Sequence, residues 1–172
     1  MSNIVTSSDV MLMCRPISTH YKPERIEMFI PEAELIDIKD QIGEQLYISL
    51  LDSGTTYQEL LDGGIYTVDE KKYIFKGLKS AISYFVYSRL IRNSDGQLTP
   101  YGYVNKETDV SQKPELKERI AAANDAMEIG QAYLNECLQY IRLHPDLFPV
   151  TESECAQQTT TKSTYRITEI GD

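Results

Sequence analysis

The chain has no tryptophan, two histidines and three cysteines among its 172 residues. Each scarcity closes off a class of chemistry. Cys14, Cys137 and Cys155 are odd in number and far apart, with no CxxC pair and no His/Cys cluster. Neither a zinc site nor a disulfide framework is therefore supported, and a reducing cytoplasm is the expected setting. His20 and His144 lack the Glu-x-x-His context of a di-iron bundle and are read as surface or structural residues. GxGxxG and Walker-type phosphate loops do not occur. GxSxG and HExxH are missing too, so the common hydrolases and metalloproteases have no anchor. No enzyme activity, cofactor or metal is expected.

Positive charge is also scarce: 17 basic against 26 acidic residues leave a net charge of −9. A generic nucleic-acid binder draws its affinity from Lys and Arg on phosphate, so that class is disfavoured. An acidic protein can still surround DNA that must slide. The most apolar run, Ala81–Ile91, contains Arg89 and falls well short of the roughly 20 residues a bilayer span needs. The first basic side chain, Arg15, follows the apolar patch Val10–Met13 instead of preceding it, so a secretory leader is not expected.

What is present reads as mainly helical. Residues 1–22, rich in Ser and Thr with a strand-like patch at Val10–Cys14, are read as an N-terminal arm. From Pro23 the pattern turns helical, and Leu35, Ile38, Ile42, Leu46 and Leu50 recur at spacings of three and four. Pro31 starts or kinks this helix, and Gly43 divides it. Opposite the apolar positions, Glu34, Asp37, Gln41 and Glu44 form what reads as a solvated stripe, although a carboxylate pair there could also serve as acid and base or hold a cation. Thr56-Tyr57-Gln58-Glu59 has the form of a capping box, and Gly63-Gly64 stops the short helix it opens. Ile65–Val68 and Lys72–Phe75 flank Asp69-Glu70-Lys71 as a small hairpin. A helix over about 76–92, apolar on most sides, is expected at the centre.

Residues 94–113 are too long for an idle connection and are read as a projecting ribbon or loop with Tyr101 and Tyr103 at its tip. Between Pro114 and Pro145, Leu116, Ile120, Ala123, Met127, Gly130, Leu134, Cys137 and Ile141 make an unbroken a/d seam. Ala122, Ala126 and Gly130 leave room for a close helix neighbour. After Pro149 the chain turns polar until Tyr165–Ile170, which has strand character. The resulting division is an arm at 1–22, a helical core at 23–148 and a C-terminal arm at 149–172. The fold expected is mainly α: a compact helical bundle with a small β-hairpin, a long projecting loop and extended N- and C-terminal arms.

Charge is distributed unevenly. Residues 24–62 carry ten acidic and two basic side chains, a net of −8, whereas 63–92 carry two acidic and six basic, a net of +4. Either the chain folds one segment on the other, or a head-to-tail assembly matches them between copies. Lys76 and Lys79, with Glu34 and Asp37, are the candidate residues for such an interface. Tyr101, Tyr103, Tyr165 and Ile167 are further candidates, because tyrosines (12 in all) and strand-forming ends suit protein contacts.

The series IPEAELIDIKDQIGEQLYISLL, YQELLDGG, IYTVDEKKYIFKGLKSAISYFVYSRLIRNS, TPYGYVNK and AANDAMEIGQAYLNECLQYI resembles head–tail connector, or adaptor, proteins of tailed bacteriophages, and most of all the ring proteins of crAss-like phages. The resemblance runs over residues 24–142. It implies a ring, typically of twelve copies, beneath the portal protein. Such a ring extends the channel for passing DNA without sequence-specific contact and offers a platform for further tail or ring proteins. It implies no catalytic or cofactor residues, and places the protein in the virion neck and, during assembly, in the host cytoplasm. The competing expectation from the residues alone is a small helical cytoplasmic adaptor or regulator that grips one partner with its arms.

Overall fold

The computed structural model describes residues 3–18, 21–53, 55–93, 96–99, 102–105 and 116–148. Helix α7 (Leu78–Asn93) is the axis of the bundle. It buries Leu78, Ala81, Ile82, Phe85, Val86 and Leu90, and also Ser83 and Ser88. A helix buried on most of its circumference must satisfy its hydroxyls internally. Ser83 does so on the Lys79 carbonyl at 2.7 Å, and Ser88 on the Ala123 carbonyl of α8 at 2.8 Å.

Helix α8 (Leu116–Leu143) lies along α7 and buries Ala123, Gly130, Leu134, Cys137 and Ile141 of the expected seam, with Met127 partly buried. Gly130 allows the close approach: a Cβ there would stand 3.0 Å from the Phe85 ring. The first turns of the seam are different, for Leu116 and Ile120 remain exposed.

The N-terminal segment departs from expectation. Its strand-like patch is helix α1 (Ser7–Met13), opened by a reciprocal capping box in which the Asp9 N–H donates to Thr6 Oγ1 and the Thr6 N–H to Asp9 Oδ2. Val5 and Val10 are fully buried, and α1 packs against α7. Amphipathic burial overrides the strand preference of a Val-Met-Leu-Met run. Helix α2 (Pro23–Glu27) follows, with Pro23 in its first turn.

Pro31 sits in the first turn of α3 (Ile30–Glu32), which runs directly into a π-helical turn (Ala33–Ile38) and α4 (Lys39–Ile42). The π-turn winds more widely than 3.6 residues per turn. The inward face therefore recurs every four residues, as Ile30, Glu34, Ile38 and Ile42, while Leu35 is left 49% exposed. Gly43, at φ +86°, divides α4 from α5 (Glu44–Asp52) as expected.

Helix α6 (Gln58–Asp62) forms without the expected capping box: Tyr57 occupies the N-cap and gives no side-chain bond. Glu59 is drawn away by the Tyr140 hydroxyl of α8, which donates to it at 2.8 Å. Gly63 ends α6 at φ +78°. Strands β1 (Gly64–Val68) and β2 (Lys71–Phe75) then pair antiparallel, with Ile65 opposite Ile74 and Tyr66 opposite Tyr73. The turn has two residues, Asp69 and Glu70, both at positive φ (48° and 64°), as a type I′ hairpin requires. At the hairpin's base Gly63 and Gly77 meet backbone to backbone. A Cβ on Gly63 would fall 2.5 Å from the Lys76 carbonyl carbon, and one on Gly77 2.5 Å from the Leu61 oxygen. Between α7 and α8 the chain forms a second ribbon, β3 (Gly96–Thr99) with β4 (Gly102–Asn105), Thr99 pairing with Gly102.

Candidate functional site

Two carboxylates expected on a solvated stripe point inward, and they organise the molecule. Glu34 is completely buried. Its Oε1 accepts from the backbone N–H of Ile4 at 2.7 Å and of Val5 at 3.2 Å, and its Oε2 from the Tyr47 hydroxyl at 3.0 Å. Burial pushes its pKa up; the bonds from Val5, Tyr47 and Ile4 pull it down but do not cancel that effect. Burial, together with the facing Glu34 charge, pushes the Tyr47 hydroxyl up as well. With three donors already on it, this carboxylate has no geometry for general acid–base work. Its structural effect is to hold the N-terminal segment on the body.

Asp37 is the second. Arg89 of α7 reaches it at 2.6 Å and the more exposed Glu32 at 3.6 Å. A largely buried guanidinium is thereby neutralised by the π-turn, the arrangement a buried charge needs. Lys79 is likewise engaged within the chain, on Asp62 at 2.7 Å, a contact that holds the Asp62 carboxyl below its ordinary range. The acidic and basic segments thus meet in part inside one copy, through Asp62–Lys79 and Asp37–Arg89. Lys76 is exposed.

The inner face of the β1–β2 hairpin joins an aromatic cluster. Tyr140 stacks on Phe75 with centroids 4.6 Å apart, meets Tyr66 edge-on at 5.0 Å and lies 4.3 Å from His144. His144 accordingly has a structural place, its Nδ1 2.9 Å from the Tyr140 carbonyl oxygen. Burial and the Glu59 carboxylate push the Tyr140 hydroxyl up to about 12. Beside it, Thr56, Tyr57, Glu59, Leu60, Leu147 and Phe148 complete a cavity of about 120 Å³, below the roughly 300 Å³ at which small-molecule sites begin. Among the described residues no three His, Cys, Asp or Glu side chains converge as metal ligands, and no helix is long and apolar enough to cross a membrane.

The hairpin's outer face was not singled out by sequence reasoning. Ile65 and Ile74, directly opposite one another, are 70% and 67% exposed. Leu35 and Ile36 on the π-turn are similarly exposed. The signal for the first pair was available: Ile65-Tyr66 and Tyr73-Ile74 place apolar residues on both faces of a two-stranded ribbon, and only one face can cover the core. Of the other candidates, Tyr103 lies on β4 opposite Leu98. Tyr101, Tyr165 and Ile167, with His20 and the whole of 149–172, lie outside the described residues.

Residues 38–161 match the model of a protein family of unknown function, DUF6712. No curated protein and no solved structure matches the chain.

Proposed function

The chain belongs to the DUF6712 family, and we propose that it is a non-enzymatic structural subunit of a phage virion neck. In this reading copies close into a ring, of about twelve by the resemblance described above, beneath the portal protein. The ring joins head to tail, extends the DNA channel and receives further tail or ring proteins. The observation that carries the reading is the surface left over after folding. Ion pairs within the chain engage Lys79 and Arg89, yet a hairpin face bearing exposed Lys72, Ile65 and Ile74, with Lys76 just beyond it, and an acidic helical face bearing exposed Leu35 and Ile36 remain. Two different, complementary faces on one subunit are what a closed head-to-tail ring uses. The acidic balance suits a channel wall that does not hold DNA.

The test is co-expression with the portal protein of the same genome, followed by native mass spectrometry and electron microscopy. A many-copy ring on the portal is expected. A chain that stays monomeric alone and ignores the portal would refute the reading, and a one-to-one complex with some other partner would favour a cytoplasmic adaptor.

A further inference from the structure

The outer face of the β1–β2 hairpin repeats one pattern along the strand. Lys72, Ile74 and Lys76 are all exposed and alternate with Tyr73 and Phe75, which face the aromatic cluster. Ile65 stands opposite Ile74 and widens the apolar centre. The surface of the π-turn carries the opposite pattern. Ile36 is exposed with Glu32 one turn before it and Asp40 one turn after, both exposed, and Leu35 beside it widens the apolar centre there. Each array is an aliphatic pair with a like charge at either end, and the signs are opposite.

We propose that the hairpin's outer face docks on the π-turn face of the next copy of this chain, Ile74 and Ile65 against Ile36 and Leu35, with Lys72 and Lys76 beside Glu32 and Asp40. The inference rests on the ring reading and gives its contact. The two arrays lie on different elements of one subunit, so the contact is heterologous and leaves each copy able to bind a neighbour on either side. The charges set direction and register, and the aliphatic centre supplies apolar burial. None of the described ion pairs uses Lys72, Lys76 or Asp40, and Glu32 is the weaker of the two partners of Arg89. Docking therefore disrupts no short pair within the chain.

Cysteine cross-linking tests this on the full chain, alone at high concentration and on the portal. Cys155→Ser removes one native thiol; burial pushes the other two up, Cys14 to about 11 and Cys137 to about 12, which keeps them slow to oxidise. In that background Ile36→Cys with Ile74→Cys should give a ladder of disulfide-linked multimers. The two single variants should cross-link when mixed, at least tenfold more than either does alone. Circular dichroism and sedimentation of each variant establish fold and oligomeric state independently. A ring that forms without the cross-link overturns this contact and leaves the ring reading standing. Ile74→Cys dimers formed alone would show hairpins meeting each other and also overturn it. Absence of any oligomer, with and without the portal, removes both.

Discussion

Replacing Glu34 with alanine removes the acceptor of three buried hydrogen bonds at once, from Ile4, Val5 and Tyr47. Hydrogen bonds to a charged group contribute roughly 1.5–3 kcal/mol each, and a buried donor left unpaired costs a comparable amount. Left in place, the donors would forfeit roughly 4.5–9 kcal/mol, a large part of the about 5–15 kcal/mol that typically holds a domain folded. The N-terminal segment has a cheaper response, which is to leave. Release exposes Val5 and Val10 but returns backbone freedom to the segment, so the net loss should settle at about 2–4 kcal/mol. Denaturant unfolding measures that loss, and hydrogen exchange locates it: amides of Ser7–Met13 should lose protection while those of α7 and α8 keep theirs. Glu34→Gln, which retains an acceptor oxygen, should hold the segment. It also fixes the pH behaviour. Because the folded pKa of Glu34 is raised, its contribution is greatest below the ordinary carboxylate value and is lost as pH rises through the folded one. Glu34→Gln should therefore gain on the native chain with rising pH over that window. A Glu34→Ala variant that loses less than about 1 kcal/mol with α1 still protected would refute the account, as would a Glu34→Gln variant that falls behind as pH rises.

Gly63→Ala and Gly77→Ala should each destabilise by roughly 2–5 kcal/mol in thermal melts, since both combine a positive φ with a Cβ driven into backbone. Glu70→Gly should stabilise by about 0.5–1 kcal/mol, the relief of a positive φ less the entropy of glycine; a loss would show that the Glu70 side chain contributes more than its backbone strain costs. Lys79→Glu should lower the melting temperature of the monomer by breaking the Asp62 pair, whereas Lys72→Glu with Lys76→Glu should leave the melt unchanged. The second variant should instead weaken assembly and flatten its salt dependence in sedimentation, because exposed charges are screened within about 8 Å at physiological ionic strength.

The features legible in the sequence are those set by local pattern. The central helix, the α8 seam with its small residues, the hairpin and the stop at Gly63 all follow from apolar period or from backbone freedom. What stayed hidden depends on partners distant in the chain. A π-turn has no residue signature, and without it Glu34 falls on the wrong face and Leu35 on the right one. The docking of residues 4 and 5 needs an acceptor some 30 positions away. Thr56–Glu59 fits the capping pattern, but Glu59 bonds to Tyr140, 81 residues on. Thr6-Ser7-Ser8-Asp9 fits the same pattern and does form the cap. Sequence form alone did not separate the two.

The meeting of Gly63 and Gly77 has a consequence for how such a chain can diverge. The two feet of the hairpin touch, so the body sees a closed circuit: α6 passes to α7 across a backbone contact whatever is carried beyond it. Tyr66 and Phe75, near the feet, fix the direction in which the ribbon leaves by packing on Tyr140. The positions past the stacked Tyr66–Tyr73 pair are free of that duty. The tip from Val68 to Lys71 could lengthen, shorten or change its charge with no adjustment in the bundle. A family built on this frame can therefore retune what the hairpin touches while inheriting its foundation unaltered.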